Sequence, residues 1–315
     1  MPLIEGLDAL LSLDLEARYG SGTAARSVVA VGVFDGVHLG HQRLLHQLLE
    51  MASALDATPT VVTFTNHPDQ VLHGEAPPLI VSVPHRLRLL RRAGVRRVAL
   101  LTFEERLRAM PAREFAERVL QRSLRARGLL LGYDSAMGKN REGTPQRFRE
   151  LGAEFGFEVR TGSPFDVDSE PVSSTRIRNA IQAGELDLAQ RFLGRFPGAF
   201  GKVVHGHGRG RGLGFPTANV AVQTAVLPPD GVYAVEAVLD GSVHPAVANL
   251  GPSPTFEGER ALEVHLLDFT GDLYDRELEV QFRRHLRPVQ KFTDAAALRT
   301  QIEHDVAAAR DCLTA

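Results

Sequence analysis

The chain has 315 residues, 43% of them hydrophobic and 23% charged, with a formal net charge of −2. That length suits two domains, since one domain usually takes roughly 100–200 residues, and the ordinary composition excludes wholesale disorder. The near-neutral balance excludes a general nucleic-acid or membrane-surface binder, and a lone cysteine, Cys312, excludes an intrachain disulfide or a cysteine zinc cage.

No uninterrupted apolar run approaches the ~18 residues that span a bilayer, and the amino-terminal stretch mixes leucine with Asp, Glu and Arg instead of forming a signal peptide. The expectation is a cytoplasmic protein without nucleic-acid or membrane partners, with a homo-oligomer left open. Along the chain, the run 28–31 has the composition of a buried strand, and residues 32–41 read Gly-Val-Phe-Asp-Gly-Val-His-Leu-Gly-His. Leu44, Leu45, Leu48, Leu49, Ala52 and Leu55 then recur at helical spacing, and 60–64 has the β-branched density of a strand. The alternation continues through a helix at 84–93, a strand at 97–103, a helix at 112–122, an apolar run at 129–131, a helix at 145–155 and a strand at 157–160. Strands and helices taken in turn predict a parallel sheet covered on both faces.

The pattern changes near residue 185. Helices are predicted at 174–183 and 186–193, followed by strands at 198–204, 231–239, 243–250, 262–267 and 277–282, with turns at 240–241 and 270–272 and a closing helix at 295–309. Short spacings without intervening helices predict an antiparallel barrel or sandwich. The fold class is α/β: a doubly wound parallel-sheet domain over 1–184, then an antiparallel β-barrel domain over 185–315 with a terminal helix. No internal repeat and no Ser/Gly-rich linker separates them.

His38 and His41 stand three apart where the first strand hands over to a helix, a place where helix N–H groups and imidazoles can hold phosphate together. Gly40 between them lets a nucleobase or ribose approach the backbone. Ser173, Ser174 and Thr175 offer hydroxyls at a helix N-cap, with Arg176 and Arg178 beside them, a set suited to a triphosphate. In the second half, the glycines of 206–214 leave backbone N–H groups free to wrap an anion. A Pro-initiated turn at Pro216 is expected to bring the Thr217 hydroxyl and the Asn219 amide oxygen to one hard cation. On a strand spanning 262–266, Glu263 and His265 share a face opposite the leucines.

Residues 32–45, GVFDGVHLGHQRLL, together with Asn66-His67-Pro68 and the run 173–178, SSTRIR, resemble three ordered motifs of the HxGH nucleotidyltransferases. Within that superfamily they resemble the prokaryotic bifunctional riboflavin kinase/FMN adenylyltransferase family, also called FAD synthetase. The segment 210–219 with its GFPTAN ending, the element 248–256 and the run 262–274 resemble the riboflavin kinase signatures of the same family.

The resemblance implies a kinase making FMN from riboflavin and ATP, then an adenylyltransferase making FAD and pyrophosphate from FMN and a second ATP, with Mg2+. It implies catalytic roles for His38, His41 and Arg178, and for Glu263 as base. For adenylyl transfer it implies ATP contacts at Gly32, Phe34, Asp35, Gly40, His41, Asp134, Ser174, Thr175 and Arg178. For the kinase it implies ATP contacts at Gly210, Arg211, Gly214, Pro216, Thr217 and Asn219, with Thr217 and Asn219 on magnesium. Across the chain it implies flavin contacts at Asn66, Pro68 and Glu263. The loop 132–143 departs from the family, carrying Ser135, Ala136 and Met137 where aromatic and basic residues are usual. Two alternatives keep the kinase but give the first domain another nucleotidyl acceptor, or a non-catalytic flavin-nucleotide-binding role.

Overall fold

A computed structural model describes residues 1–133, 135–206, 209–223, 225–252 and 260–313, without the side chains of Arg209 and Arg211. The chain forms two compact units, one of Met1–Pro77 and Arg86–Val172, the other of Pro78–His85 and Ser173–Ala315.

The first unit holds strands β1 (Leu3–Glu5), β2 (Ser27–Val31), β3 (Thr58–Phe64), β4 (Arg97–Leu101), β5 (Ala126–Leu131) and β6 (Glu158–Thr161). They form one sheet in the order β1-β4-β3-β2-β5-β6, every pair parallel. All five residues of β2 and of β4 are buried, as strands covered on both faces should be. From β2 the chain winds outward through β3 and β4 on one side, then through β5 and β6 on the other. The crevice at the carboxyl end of β2 is therefore the switch point where such sheets take ligands. Helix Leu39–Ala54 leaves that point and buries Leu45, Leu48, Met51 and Ala52 along one stripe. A two-stranded ribbon, β7 (Asp166–Val167) with β8 (Glu170–Pro171), completes the unit's strands among the described residues.

The second unit is built on β9 (Gly198–Val204), β10 (Ala218–Val222), β11 (Gly231–Leu239), β12 (Ser242–Pro252), β13 (Arg260–Leu266) and β14 (Glu277–Arg287). They close into an antiparallel barrel in the order β10-β13-β12-β11-β14-β9. Alternate residues such as Val220, Tyr233, Ala248, Leu250, Leu262 and Val264 fill its interior. Helix Ala295–Leu313 covers part of the outer face, where Ala309 packs with Val232, Ala234 and Val247. Residues 78–85 belong to this unit: Val226 N–H donates to Leu79 O at 2.8 Å, and buried His85 lies 3.6 Å from buried Glu279.

The barrel closes through a strand that the sequence reading did not assign, β10, which occupies the place of the expected turn after Pro216. β14 also runs five residues past its expected end, to Arg287. Among the described residues no helix is long and apolar enough to cross a membrane.

Candidate functional site

At the switch point of the first unit, Gly32 N–H donates to Val62 O at 3.0 Å, carrying the ladder one residue beyond β2. The loop then turns sharply through Phe34 (φ 51°) and Val37 (φ 42°), left-handed conformations that a β-branched residue rarely adopts. The turn aims His38 at the start of helix Leu39–Ala54, where its Nδ1 accepts the His41 N–H at 3.3 Å. His38 thus caps the helix through Nδ1. The His38 and His41 rings stack at 3.6 Å and 18°, with the Phe34 ring tilted against His41 at 5.2 Å. A Cβ on Gly40 would lie 3.2 Å from His38 Cε1, so the space left by its missing side chain is taken by the imidazole.

Burial holds the His41 pKa well below the ordinary imidazole value, and positive charge on His38 and Arg86 lowers it further. At neutral pH His41 is an uncharged hydrogen-bonding group. Its Nδ1 is buried without a hydrogen-bond partner among the described residues. Fixed positive charge comes instead from Arg86, completely buried, whose Nη1 donates to Val33 O at 2.8 Å and Nη2 to Phe64 O. Burial lowers the Arg86 pKa to about 10 against the opposing pull of Asp35, so it stays charged at pH 7. The sequence reading missed Arg86, and no local pattern marks it among the four arginines of 86–92.

The remaining residues expected at this site are placed as follows. Asn66 bridges two loops, its Nδ2 donating to Phe103 O at 2.9 Å and its Oδ1 accepting Phe103 N–H at 2.8 Å. Pro68 precedes the short helix Asp69–Leu72. Ser173 caps helix Ser174–Ala183, accepting Arg176 N–H at 3.3 Å. Ser174, Thr175 and Arg178 follow on that helix, in the second unit. Arg178 is buried with its Nε donating to Pro78 O at 2.8 Å, and Arg176 lies over the Phe192 ring at 4.8 Å. Asp134 lies outside the described residues.

In the second unit a cavity of about 450 Å³ opens on the outer face of the barrel. Register builds its polar wall: Asn219 on β10 stands opposite Glu263 on β13, and Glu263 opposite Asn249 on β12. Directly paired residues share a face, so the three side chains form one row, while Leu262 and Val264 point into the barrel. Thr217, two residues before Asn219, lines the same cavity. Thr217 directly precedes β10 and Asn219 is its second residue, so the start of a strand stands in place of the expected turn.

His265 ties this segment down, its Nδ1 lying 2.8 Å from Pro216 O and its ring edge-on to Phe215 at 5.5 Å. Gly206 and Gly210 close over the same residues. A Cβ on Gly206 would fall 2.0 Å from Asn219 Nδ2, and one on Gly210 would fall 2.4 Å from Phe215 O and 3.2 Å from Thr217 Oγ1. Gly214, at φ 90°, takes a backbone conformation that suits glycine. The Arg211 side chain and residues 253–259, which hold the Pro254-Thr255-Phe256 element, lie outside the described residues.

On the far wall Arg287 grips Asp305 of the terminal helix through Nε–Oδ1 and Nη2–Oδ2 contacts of 2.9 and 2.8 Å. Val232, Val247, Phe292, Leu298 and Ile302 make the rest apolar. The sequence reading assigned no site role to Asn249, Arg287 or Asp305. Asn249 was findable from cross-strand pairing, but Arg287 and Asp305 become neighbours only when the terminal helix packs.

The pattern of the FAD synthetase family matches residues 21–176, and that of the riboflavin kinase family matches residues 193–313. The bifunctional riboflavin kinase/FMN adenylyltransferase of Pseudomonas fluorescens is 42% identical over 90% of this chain and 92% of its own. That of Bacillus subtilis (strain 168) is 33% identical over 89% and 90%. A solved structure described as a macrolide-efflux protein from Streptococcus pneumoniae aligns with a TM-score of 0.79 at 29% identity, covering 98% of this chain and 99% of that one. With both family patterns present in order and such identity along nearly its whole length, the chain belongs to the bifunctional riboflavin kinase/FMN adenylyltransferase family.

Proposed function

We propose that this chain phosphorylates riboflavin in the barrel cavity and adenylylates the resulting FMN at the stacked histidines. The observation that carries the division is the row Asn219–Glu263–Asn249 in one unit and the His38–His41 pair in the other. In the kinase step Glu263 takes the proton from the terminal ribityl hydroxyl as its oxygen attacks the γ-phosphorus of ATP, and ADP leaves. Thr217 and Asn219 present two hard oxygens to one cavity beneath Gly210, a donor set that fits Mg2+ shared with ATP phosphates. When bound there, Mg2+ supplies positive charge against the phosphate oxygens. Gly210, Arg211, Gly214 and Pro216 make the flap around the phosphates, and the apolar wall with Phe292 takes the flavin ring.

In the second step an FMN phosphate oxygen, already ionised at pH 7, attacks the α-phosphorus of ATP and pyrophosphate leaves. No base is needed, so the site's work is alignment and charge stabilisation. His38 and His41 hold the phosphates by hydrogen bonds, and Gly32, Phe34, Asp35 and Gly40 shape the nucleotide site. Asn66 and Pro68 border the flavin. The functional division, 1–184 and 185–315, follows these motif sets. The lone cysteine favours a reducing, cytoplasmic setting.

Chromatography of products after incubation with riboflavin and MgATP tests the reading. FMN followed by FAD, with pyrophosphate released only once FMN is present, is the expected result. FMN without FAD overturns the second half of it.

A further inference from the structure

Arg86 takes no part in the chemistry described so far, yet its guanidinium is 0% exposed. Its Nε–H is buried without a hydrogen-bond partner among the described residues. A methionine of similar length would fill that space without the cost of burying a charge, so packing alone does not account for an arginine. Its two hydrogen bonds go to particular places. Val33 follows β2 at the head of the histidine loop, and Phe64 is the last residue of β3, so the fork joins two adjacent strand ends at the switch point. Val33 O also accepts the Thr63 hydroxyl at 3.0 Å, a second tie between the same two strand ends. The loop held this way is the one with left-handed Phe34 and Val37, and such backbone persists only where its surroundings over-determine it.

We propose that Arg86 is a positioning residue for adenylyl transfer, clamping the strained 33–37 loop to the carboxyl end of β3 so that His38 and His41 meet the ATP phosphates in fixed register. The inference rests on the reading of the histidine stretch as the adenylyl-transfer site. The same guanidinium acts on the site through its charge, which attracts Asp35 and helps to keep His41 neutral. Lysine in its place would keep the charge but lose the planar fork that reaches two carbonyls at once. Clamp and charge are therefore separable.

The test compares the full chain with its Arg86→Met and Arg86→Lys variants, measuring FAD formation from FMN and FMN formation from riboflavin. The His41 ring is titrated in parallel by NMR. Arg86→Met is expected to lower kcat for FAD formation about 100-fold, the scale on which a small misplacement acts, with FMN formation unchanged and His41 titrating at higher pH. Arg86→Lys is expected to lose about tenfold while His41 titrates as in the native chain. Native FAD formation by Arg86→Met, a parallel fall in both activities, or an unmoved His41 titration in Arg86→Met would overturn the proposal. If Arg86→Met does not fold, Arg86→Lys decides: a native adenylyl-transfer rate overturns the clamp, and a selective loss supports it. His41→Ala separates this inference from the reading beneath it. FAD formation surviving His41→Ala removes the site itself, whereas its loss there with full activity in Arg86→Met removes only the clamp.

Discussion

In the parallel-sheet unit, Gly32 through His41 are consecutive in the chain, and one strand-to-helix turn places them at the switch point. In the barrel, Asn219, Glu263 and Asn249 come from three strands, with Thr217 just before the first, and meet only because β10, β13 and β12 pair in one register. The first arrangement depends on local backbone geometry held from behind by Arg86. The second depends on a sheet, and slipping one strand by a residue would turn Glu263 into the barrel interior. A site made of one turn can be read as a motif, whereas a site made of a register has to be folded before its neighbours are known.

The largest effects come from removing the central group of each site. Glu263→Gln keeps shape and loses the base, and should lower riboflavin phosphorylation about 10²–10⁴-fold while FAD formation from supplied FMN continues. His41→Ala should do the opposite, lowering FAD formation about 10²–10³-fold with riboflavin phosphorylation intact. Separate assays of the two half-reactions read this directly, and a single substitution that damages both equally breaks the division of labour.

A smaller effect sharpens the register argument. The Phe215–Thr217 segment is held from β13 by His265 and from above by the close approach of Gly210. His265→Leu removes the contact to Pro216 O, and should raise KM for ATP in the kinase reaction about tenfold, the worth of one hydrogen bond, with less change in kcat. Gly210→Ala puts a Cβ against the Phe215 carbonyl, which cannot rotate away, and should act in the same direction. Neither substitution should touch adenylyl transfer.

These cases also show what the sequence could carry. β2, the following helix and the histidine turn were legible because burial on both faces, the 3.6 period and the turn residues are all local signals. The barrel was legible as a run of short strands, but β10 was hidden because Ala218 and Asn219 sit in a segment that reads as a nucleotide loop. The end of β14 was hidden because Arg283, Arg284 and His285 mask the strand period with charge. β1, three residues long, is too short to show any period, although it pairs with β4 along its full length. Arg86 was hidden for a different reason. Its partners Val33 and Phe64 are 53 and 22 residues away in the chain, and an amphipathic helix rich in arginine carries no mark of which guanidinium turns inward.

The smallest expected effect tests the environment of His41 without any substrate. In the unfolded chain His41 titrates near the ordinary imidazole value of 6.5, whereas the folded site holds its pKa well below that. Between the two values the unfolded state binds the additional proton, so stability falls as pH falls through 6.5 and continues to fall until the folded pKa is reached. One proton contributes a slope of at most about 1.4 kcal/mol per pH unit. The denaturation midpoint of His41→Gln should therefore decline less steeply than that of the native chain between about pH 7 and about pH 5, other histidines contributing equally to both. Because burial outweighs the charge of Arg86 in lowering the His41 pKa, Arg86→Met should flatten the decline only in part. Parallel declines in all three proteins would place His41 in open solvent, and with it would go the contrast between a locally built histidine site and the register-built cavity of the barrel.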